Sequence, residues 1–209
     1  MNKYLTEFIG TFFLVLTIGC TVIPGGVAGV LPPLAIGAAL MVMVFAGGHI
    51  SGAHYNPAVT LAVWIRGRCA AADVAPYWIA QFAAAVAAAF AATVLVGSPK
   101  GPAATPEVGP AFLAEFLFTF ALAWVVLNVA TGKGTSGNSF YGLAIGMTVM
   151  TGAFAVGGVS GGALNPAVAV GASVMGLLSM SSIWVHIVAE LLGAAAAAMA
   201  FMTINVGDK

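Results

Sequence analysis

The stretch Ser51-Gly52-Ala53-His54-Tyr55-Asn56-Pro57-Ala58-Val59 returns 109 residues later as Ser160-Gly161-Gly162-Ala163-Leu164-Asn165-Pro166-Ala167-Val168. Each copy runs from a Gly/Ser-rich segment through Asn-Pro-Ala into a short apolar segment, residues 58–65 in the first copy and 167–178 in the second. A membrane-crossing helix needs about 20 mostly apolar residues, so each short segment covers roughly half of a ~30 Å hydrocarbon core. Irregular backbone at membrane depth is tolerated only where it is buried in protein or lines a wet cavity. Both segments are therefore expected to be re-entrant half-helices. Proline suits the first helical turn, where its missing N–H would be unpaired anyway. The preceding asparagine can cap that turn with its side-chain oxygen. Its NH₂ keeps two donors, which aspartate and serine lack, and these can point into a lumen.

The surrounding composition fits a membrane setting. Of 209 residues, 61% are hydrophobic and only 6% charged, and the mean hydropathy is +1.08. A soluble domain carries about 25% charged residues, so this chain cannot cover a wetted surface. Six basic and six acidic residues cancel, which excludes a nucleic-acid binder working through a basic face. One membrane domain over residues 1–209 is expected. Cys20 and Cys69 fall in different segments without a metal-type spacing, so neither a disulfide framework nor a metal site is indicated. Glu7 interrupts the first apolar stretch, and no cleavage site with a soluble domain follows, so no removable leader is expected.

Six stretches are long enough to span: residues 4–23, 31–50, 74–96, 110–131, 140–158 and 183–206. Pro24-Gly25-Gly26 is expected to close the first of them. With the N-terminus inside, Lys3, Arg66, Arg68, Lys133 and Lys209 fall on the cytoplasmic side and only Lys100 outside. That is the positive-inside bias. The 109-residue offset also matches Leu34-Ala35-Ile36-Gly37 with Leu143-Ala144-Ile145-Gly146, and Ala80-Gln81 with Ala189-Glu190. Glu7-Phe8 and Glu115-Phe116 match at 108. Each half, about 1–100 and 108–209, holds three spans, an odd number, so the second half lies inverted. Inverted repeats place their shared site at the midplane, where half-helix N-termini meet.

With these motifs the chain resembles the aquaporin (major intrinsic protein) family over nearly its whole length. The likeness rests on Gly48-His49-Ile50-Ser51-Gly52-Ala53-His54-Tyr55-Asn56-Pro57-Ala58-Val59-Thr60, on Asn165-Pro166-Ala167, and on Glu7 and Glu115. It implies an all-α membrane fold of six transmembrane helices plus two re-entrant half-helices. It also implies a pore in each monomer, a homotetramer, and passive flux of water and small neutral solutes with no cofactor. The first motif, with Ala53-His54, is similar to plant vacuolar members. The short termini look bacterial, which implies a bacterial plasma membrane with cytoplasmic termini. In the family, glutamates such as Glu7 and Glu115 accept from backbone N–H groups of the loops before the half-helices. His54 is expected at the cytoplasmic vestibule or as a satisfied loop histidine, and His49 in a structural role.

The family's constriction is formed by four positions, which here are Ile36, Ala153, Gly162 and Val168. A one-residue shift on the fifth span would exchange Ala153 for Gly152 or Phe154. The last position is most often arginine, and this chain has valine. A ring of hydrocarbon and backbone should be wider and drier-walled, selecting by size and polarity rather than by hydrogen bonding. The sixth span departs as well. It carries His186 and Glu190, four apart and so on one helical face, where they can bond to each other. A structural role and a pH-responsive or solute-facing one both remain open for them.

The expected function is a passive channel for water and small uncharged solutes. Glycerol, urea, ammonia, hydrogen peroxide and neutral metalloid hydroxides such as arsenite all suit so small-walled a ring. The alternative is a secondary transporter, since these also use inverted repeats and broken helices. Coupled transport needs ion sites, and the expected lining offers no carboxylate cluster. Nothing resembles a nucleophile–base pair, so no enzymatic activity is expected.

Overall fold

The computed structural model describes residues 1–23 and 31–208. The Pro24-Gly25-Gly26 turn and Lys209 lie outside the described residues. The helices run α1 (Asn2–Val22), α2 (Pro32–Ser51), α3 (Pro57–Ile65), α4 (Ala71–Val96), α5 (Val108–Val126), α6 (Tyr141–Ser160), α7 (Pro166–Val174) and α8 (Ile183–Ile204). All but α3 and α7 are long and apolar enough to cross a membrane. Their outer faces carry exposed Ile79, Phe90, Leu113, Leu117 and Leu192. In water this would be an error of design; facing lipid it costs nothing, and the chain is an integral multi-pass membrane protein.

What holds the bundle together is small residues. Lipid tails are as apolar as leucine, so helices associate by close packing and hydrogen bonds instead. Ala84, Ala85, Ala88, Ala89 and Ala92 of α4 are wholly buried, as are Ala194, Ala197 and Ala198 of α8. These stripes seat α4 against α1 and α8 against α5. The α2–α6 crossing joins the halves at Gly37 and Gly146, 109 apart. A Cβ on either would overlap the other glycine's carbonyl oxygen.

The half-helices interlock the repeat. α3 packs on α8 of the other half and α7 on α4, and the two touch each other. α3 ends at Gly67 and α7 at Gly176, both with left-handed backbone. Arg68 N–H bonds back to the Val63 carbonyl and Leu177 N–H to that of Ala172, at 2.9 Å each, which is the usual glycine stop. The second half-helix is therefore shorter than the 167–178 expected from its apolar run. The fourth span differs too: its last turn, Leu127–Thr131, is a π-helix. There the Asn128 amide and the Thr131 hydroxyl bond back to carbonyls four residues earlier.

Lys3, Arg66, Arg68 and Lys133 gather at one end. Lys3 pairs with Asp73 at 2.6 Å and Arg66 with Asp208 at 2.6 Å. Lys133 donates its backbone N–H to Asp208 and its Nζ to the Gly207 carbonyl. The chain's tail is thereby pinned to the α5–α6 loop and to the end of α3.

Candidate channel site

Asn56 and Asn165 both hold extended backbone, φ −158° and −164°, immediately before a helical proline. Asn56 Oδ1 accepts from Ala58 N at 2.8 Å, and Asn165 Oδ1 from Ala167 N at 2.9 Å. The spare amides are not wholly free. Asn56 Nδ2 donates to the Leu164 carbonyl at 2.8 Å, and Asn165 Nδ2 to the Tyr55 carbonyl at 2.9 Å. Each asparagine thus clasps the residue just before the other. Of the two donors expected for the lumen, one per amide is committed to this clasp and one remains.

The loops leading to these caps are strained. Ala53, Tyr55 and Leu164 all have φ near +50°, and Gly162 takes the place of Ala53 in the second copy at +62°. Left-handed backbone costs a non-glycine residue about 1–2 kcal/mol, so something must hold it. Glu7 is buried behind the first loop, where Oε1 accepts from Ser51 Oγ at 2.7 Å and His54 N at 2.9 Å. Its Oε2 accepts from Tyr55 N at 2.6 Å and Gln81 Nε2 at 2.8 Å. Glu115 stands equivalently behind the second loop. It accepts from Ser160 Oγ at 2.6 Å, Ala163 N at 3.0 Å and Leu164 N at 2.7 Å.

Two cavities lined by both halves share His54, Val126 and Ile145 in their walls. The inner one, about 280 Å³, is bordered by Asn56 and Asn165 and by aliphatic pairs from corresponding positions. These include Leu14 with Leu122, Ile18 with Val126, Leu40 with Val149, and Val59 with Val168. Ile36, Ala153, Gly162 and Val168 all border this one cavity. Of the three fifth-span candidates, Ala153 is the one that lines it. Gly152 instead packs against Leu164 and Phe118, and Phe154 is exposed on the outer face. The larger cavity, about 760 Å³, opens at the cationic end beside Arg68, Asp73 and Lys133.

His54 borders both cavities. It is buried, and its Nδ1 lies 3.1 Å from Thr60 Oγ1. The Thr60 hydroxyl also lies 3.0 Å from the Asn56 carbonyl and 3.1 Å from Gln81 Nε2. His54 thus borders both cavities while its Nδ1 is hydrogen-bonded to Thr60. His49, expected to be structural, is exposed at the end of α2 and borders the larger cavity.

His186 and Glu190 do not bond to each other. His186 Nε2 lies 2.8 Å from the Ser160 carbonyl and Nδ1 3.2 Å from that of Ser182. Glu190 Oε1 accepts from Asn165 N at 3.0 Å. The two side chains share a helical face but part, His186 to the end of α6 and Glu190 to the loop ahead of α7. Two contributors were not singled out from sequence. Tyr77 donates its hydroxyl to the Ser51 carbonyl at 2.7 Å, and Thr60 gathers His54, Gln81 and Asn56. Tyr77 corresponds to His186 as Gln81 does to Glu190, which the repeat offset could have revealed.

Comparison with known proteins agrees with this geometry. The family model described as major intrinsic protein matches residues 1–201. The glycerol uptake facilitator protein-like 6 of Lactiplantibacillus plantarum is 40% identical, covering all of both chains. Aquaporin NIP1-4 of Oryza sativa subsp. japonica is 37% identical over all of this chain and 79% of its own. The X-ray structure of the aquaglyceroporin from Plasmodium falciparum superposes with a TM-score of 0.81 at 21% identity, covering 96% of this chain and 94% of that one. The chain belongs to the major intrinsic protein family, and it is a passive membrane channel for water and small solutes.

Proposed function

We propose that the inner cavity is the permeation path, with Ile36, Ala153, Gly162 and Val168 as its constriction and Asn56 and Asn165 at its midpoint. One observation carries this reading. The four ring positions, drawn from α2, α6, α7 and the loop before it, border the same cavity as the two asparagines. Among the described residues, no Asp, Glu, Lys or Arg borders that cavity. A charged solute would therefore shed its hydration without replacement. The half-helix N-termini, positive ends of two dipoles, add repulsion for cations. Polar relief comes from the remaining amide hydrogens of the two asparagines and from the loops. Among the described residues, no backbone–backbone bond uses the carbonyls of Ala53, His54 or residues 161–163.

A ring of sec-butyl, methyl, hydrogen and isopropyl groups admits solutes larger than water and grips none of them. The relatives described as a glycerol uptake facilitator and an aquaglyceroporin favour glycerol-sized solutes as cargo. Urea, ammonia, hydrogen peroxide and neutral metalloid hydroxides such as arsenite fit the same physical rule. The reading includes no catalysis and no cofactor. It extends to a homotetramer in a bacterial plasma membrane, with both termini on the cytoplasmic side beside the cationic cluster. The test is swelling of proteoliposomes across a graded solute series. Flux that rises linearly with solute, ignores ionophores and cuts off by size supports the pore. Saturable, ionophore-sensitive flux would indicate coupled transport and overturn it.

A further inference from the structure

The two halves grip their loops with different chemistry. In the first, Tyr77 donates to the Ser51 carbonyl at 2.7 Å and the Gln81 amide to Glu7 at 2.8 Å. Neither donor need change its protonation to do so. In the second, residues 109 later do the same work: His186 at the Ser160 carbonyl, 2.8 Å, and Glu190 against Glu115. An ionised glutamate has no hydrogen to give, yet here it occupies the place of a donor.

The hydrogen count follows from the partners. Glu190 Oε1 accepts from Asn165 N at 3.0 Å. Its Oε2 is buried, with no partner able to donate to it, and the carboxyl beside it belongs to Glu115, which already accepts from three donors. Two charged carboxylates in contact, both wholly buried, would repel without water between them. A proton on Glu190 Oε2, donated to Glu115, removes both faults. His186 stands beside the pair, with Nε2 2.8 Å from the Ser160 carbonyl and 3.7 Å from Glu115 Oε1.

We propose that Glu190 is a positioning residue held as the neutral acid, which accepts from Asn165 N and donates to Glu115, so that one stored proton ties the Asn165 cap to the carboxylate behind its loop. The titratable groups facing the cluster are accounted for. α5 supplies Glu115 alone, and α3, α7 and the turn at Met180–Ser182 contain no titratable side chain. α6 contributes only the Ser160 end, since its Tyr141 lies at the opposite terminus.

Storing a proton on a carboxyl becomes harder as protons become scarcer, whereas the glutamine of Glu190→Gln stores none. That amide can turn its NH₂ toward Glu115, as Gln81 does toward Glu7, and keep its oxygen toward Asn165 N. From mildly acidic to mildly alkaline pH, thermal unfolding of wild type in detergent should lose ground to Glu190→Gln. The folded-to-unfolded ratio of wild type relative to the variant should fall by up to about tenfold per pH unit. Infrared spectra of wild type at neutral pH should show the C=O stretch of a protonated, water-shielded carboxyl, and Glu190→Gln should lack it. Parallel pH profiles in wild type and Glu190→Gln, or no protonated-carboxyl band at neutral pH, would overturn the proposal. So would failure of Glu190→Gln to insert, since it keeps every hydrogen bond invoked here. Neither readout involves a solute, so the outcome is separate from that of the pore assignment.

Discussion

Replacing Glu7 should expose how the strained first loop is held. The carboxylate accepts four donors: Ser51 Oγ, His54 N, Tyr55 N and Gln81 Nε2. In Glu7→Leu, Ser51 can swing its hydroxyl to another acceptor, but three donors stay fixed and buried. At about 1–3 kcal/mol for each unsatisfied group, the loss is about 3–9 kcal/mol. Against a total stability of about 5–15 kcal/mol, that removes most of the margin. Glu7→Gln can leave its oxygen in the Oε2 place, serving Tyr55 N and Gln81 Nε2, while its NH₂ donates to Ser51 Oγ. Only His54 N is then stranded, a loss of about 1–3 kcal/mol. Glutamine should therefore be tolerated and leucine not. The assay pairs abundance of the inserted protein in membranes with thermal unfolding of purified protein in detergent. Water flux per inserted channel separates folding from conduction, and Glu7→Gln should keep most of it. A leucine variant as abundant and as heat-resistant as wild type would show that Glu7 does not hold the loop.

Val168→Arg should narrow the ring and add donors where there is now only hydrocarbon. The glycerol-to-water permeability ratio in matched proteoliposomes should drop, and an unchanged ratio would remove Val168 from the constriction. Asn56→Asp keeps the helix cap but loses the amide that donates to the Leu164 carbonyl at 2.8 Å, and it adds a negative charge beside the path. Lower water flux or measurable proton leak is expected, likewise for Asn165→Asp; unchanged flux and proton exclusion in both would refute the assignment. At the cationic end, the Lys133 backbone N–H, followed by the Arg66 charge, holds the Asp208 carboxyl below the usual carboxylate range. Its contribution to tail docking is present above the ordinary carboxylate pKa and is lost as pH falls through the lowered value. Protease cleavage near residue 205 should rise in that acid window, and Asp208→Asn should already be cleaved readily at neutral pH.

Much of this was legible in the sequence because it depends on local chemistry. Asparagine before proline caps a helix wherever it occurs, and twenty apolar residues span a membrane regardless of neighbours. The repeat offset pairs Glu7 with Glu115 and Asn56 with Asn165 before any coordinates exist. Even the early stop of α7 was written at Gly176, though its apolar run continues to Leu178. Other features depend on which surfaces meet. The Asn56 amide ends on a carbonyl 108 residues away, a partner that exists only because two half-helices arrive tip to tip from opposite sides. His186 and Glu190 share a helical face, which suggested mutual bonding, but that face abuts the end of α6 and the loop before α7. There the carbonyl of Ser160 and the amide of Asn165 lack partners of their own, and they take the two side chains apart. Side-chain spacing along a helix says which groups can meet. Which buried donors and acceptors would otherwise go unsatisfied is settled only when the helices pack, and that decides which bonds form.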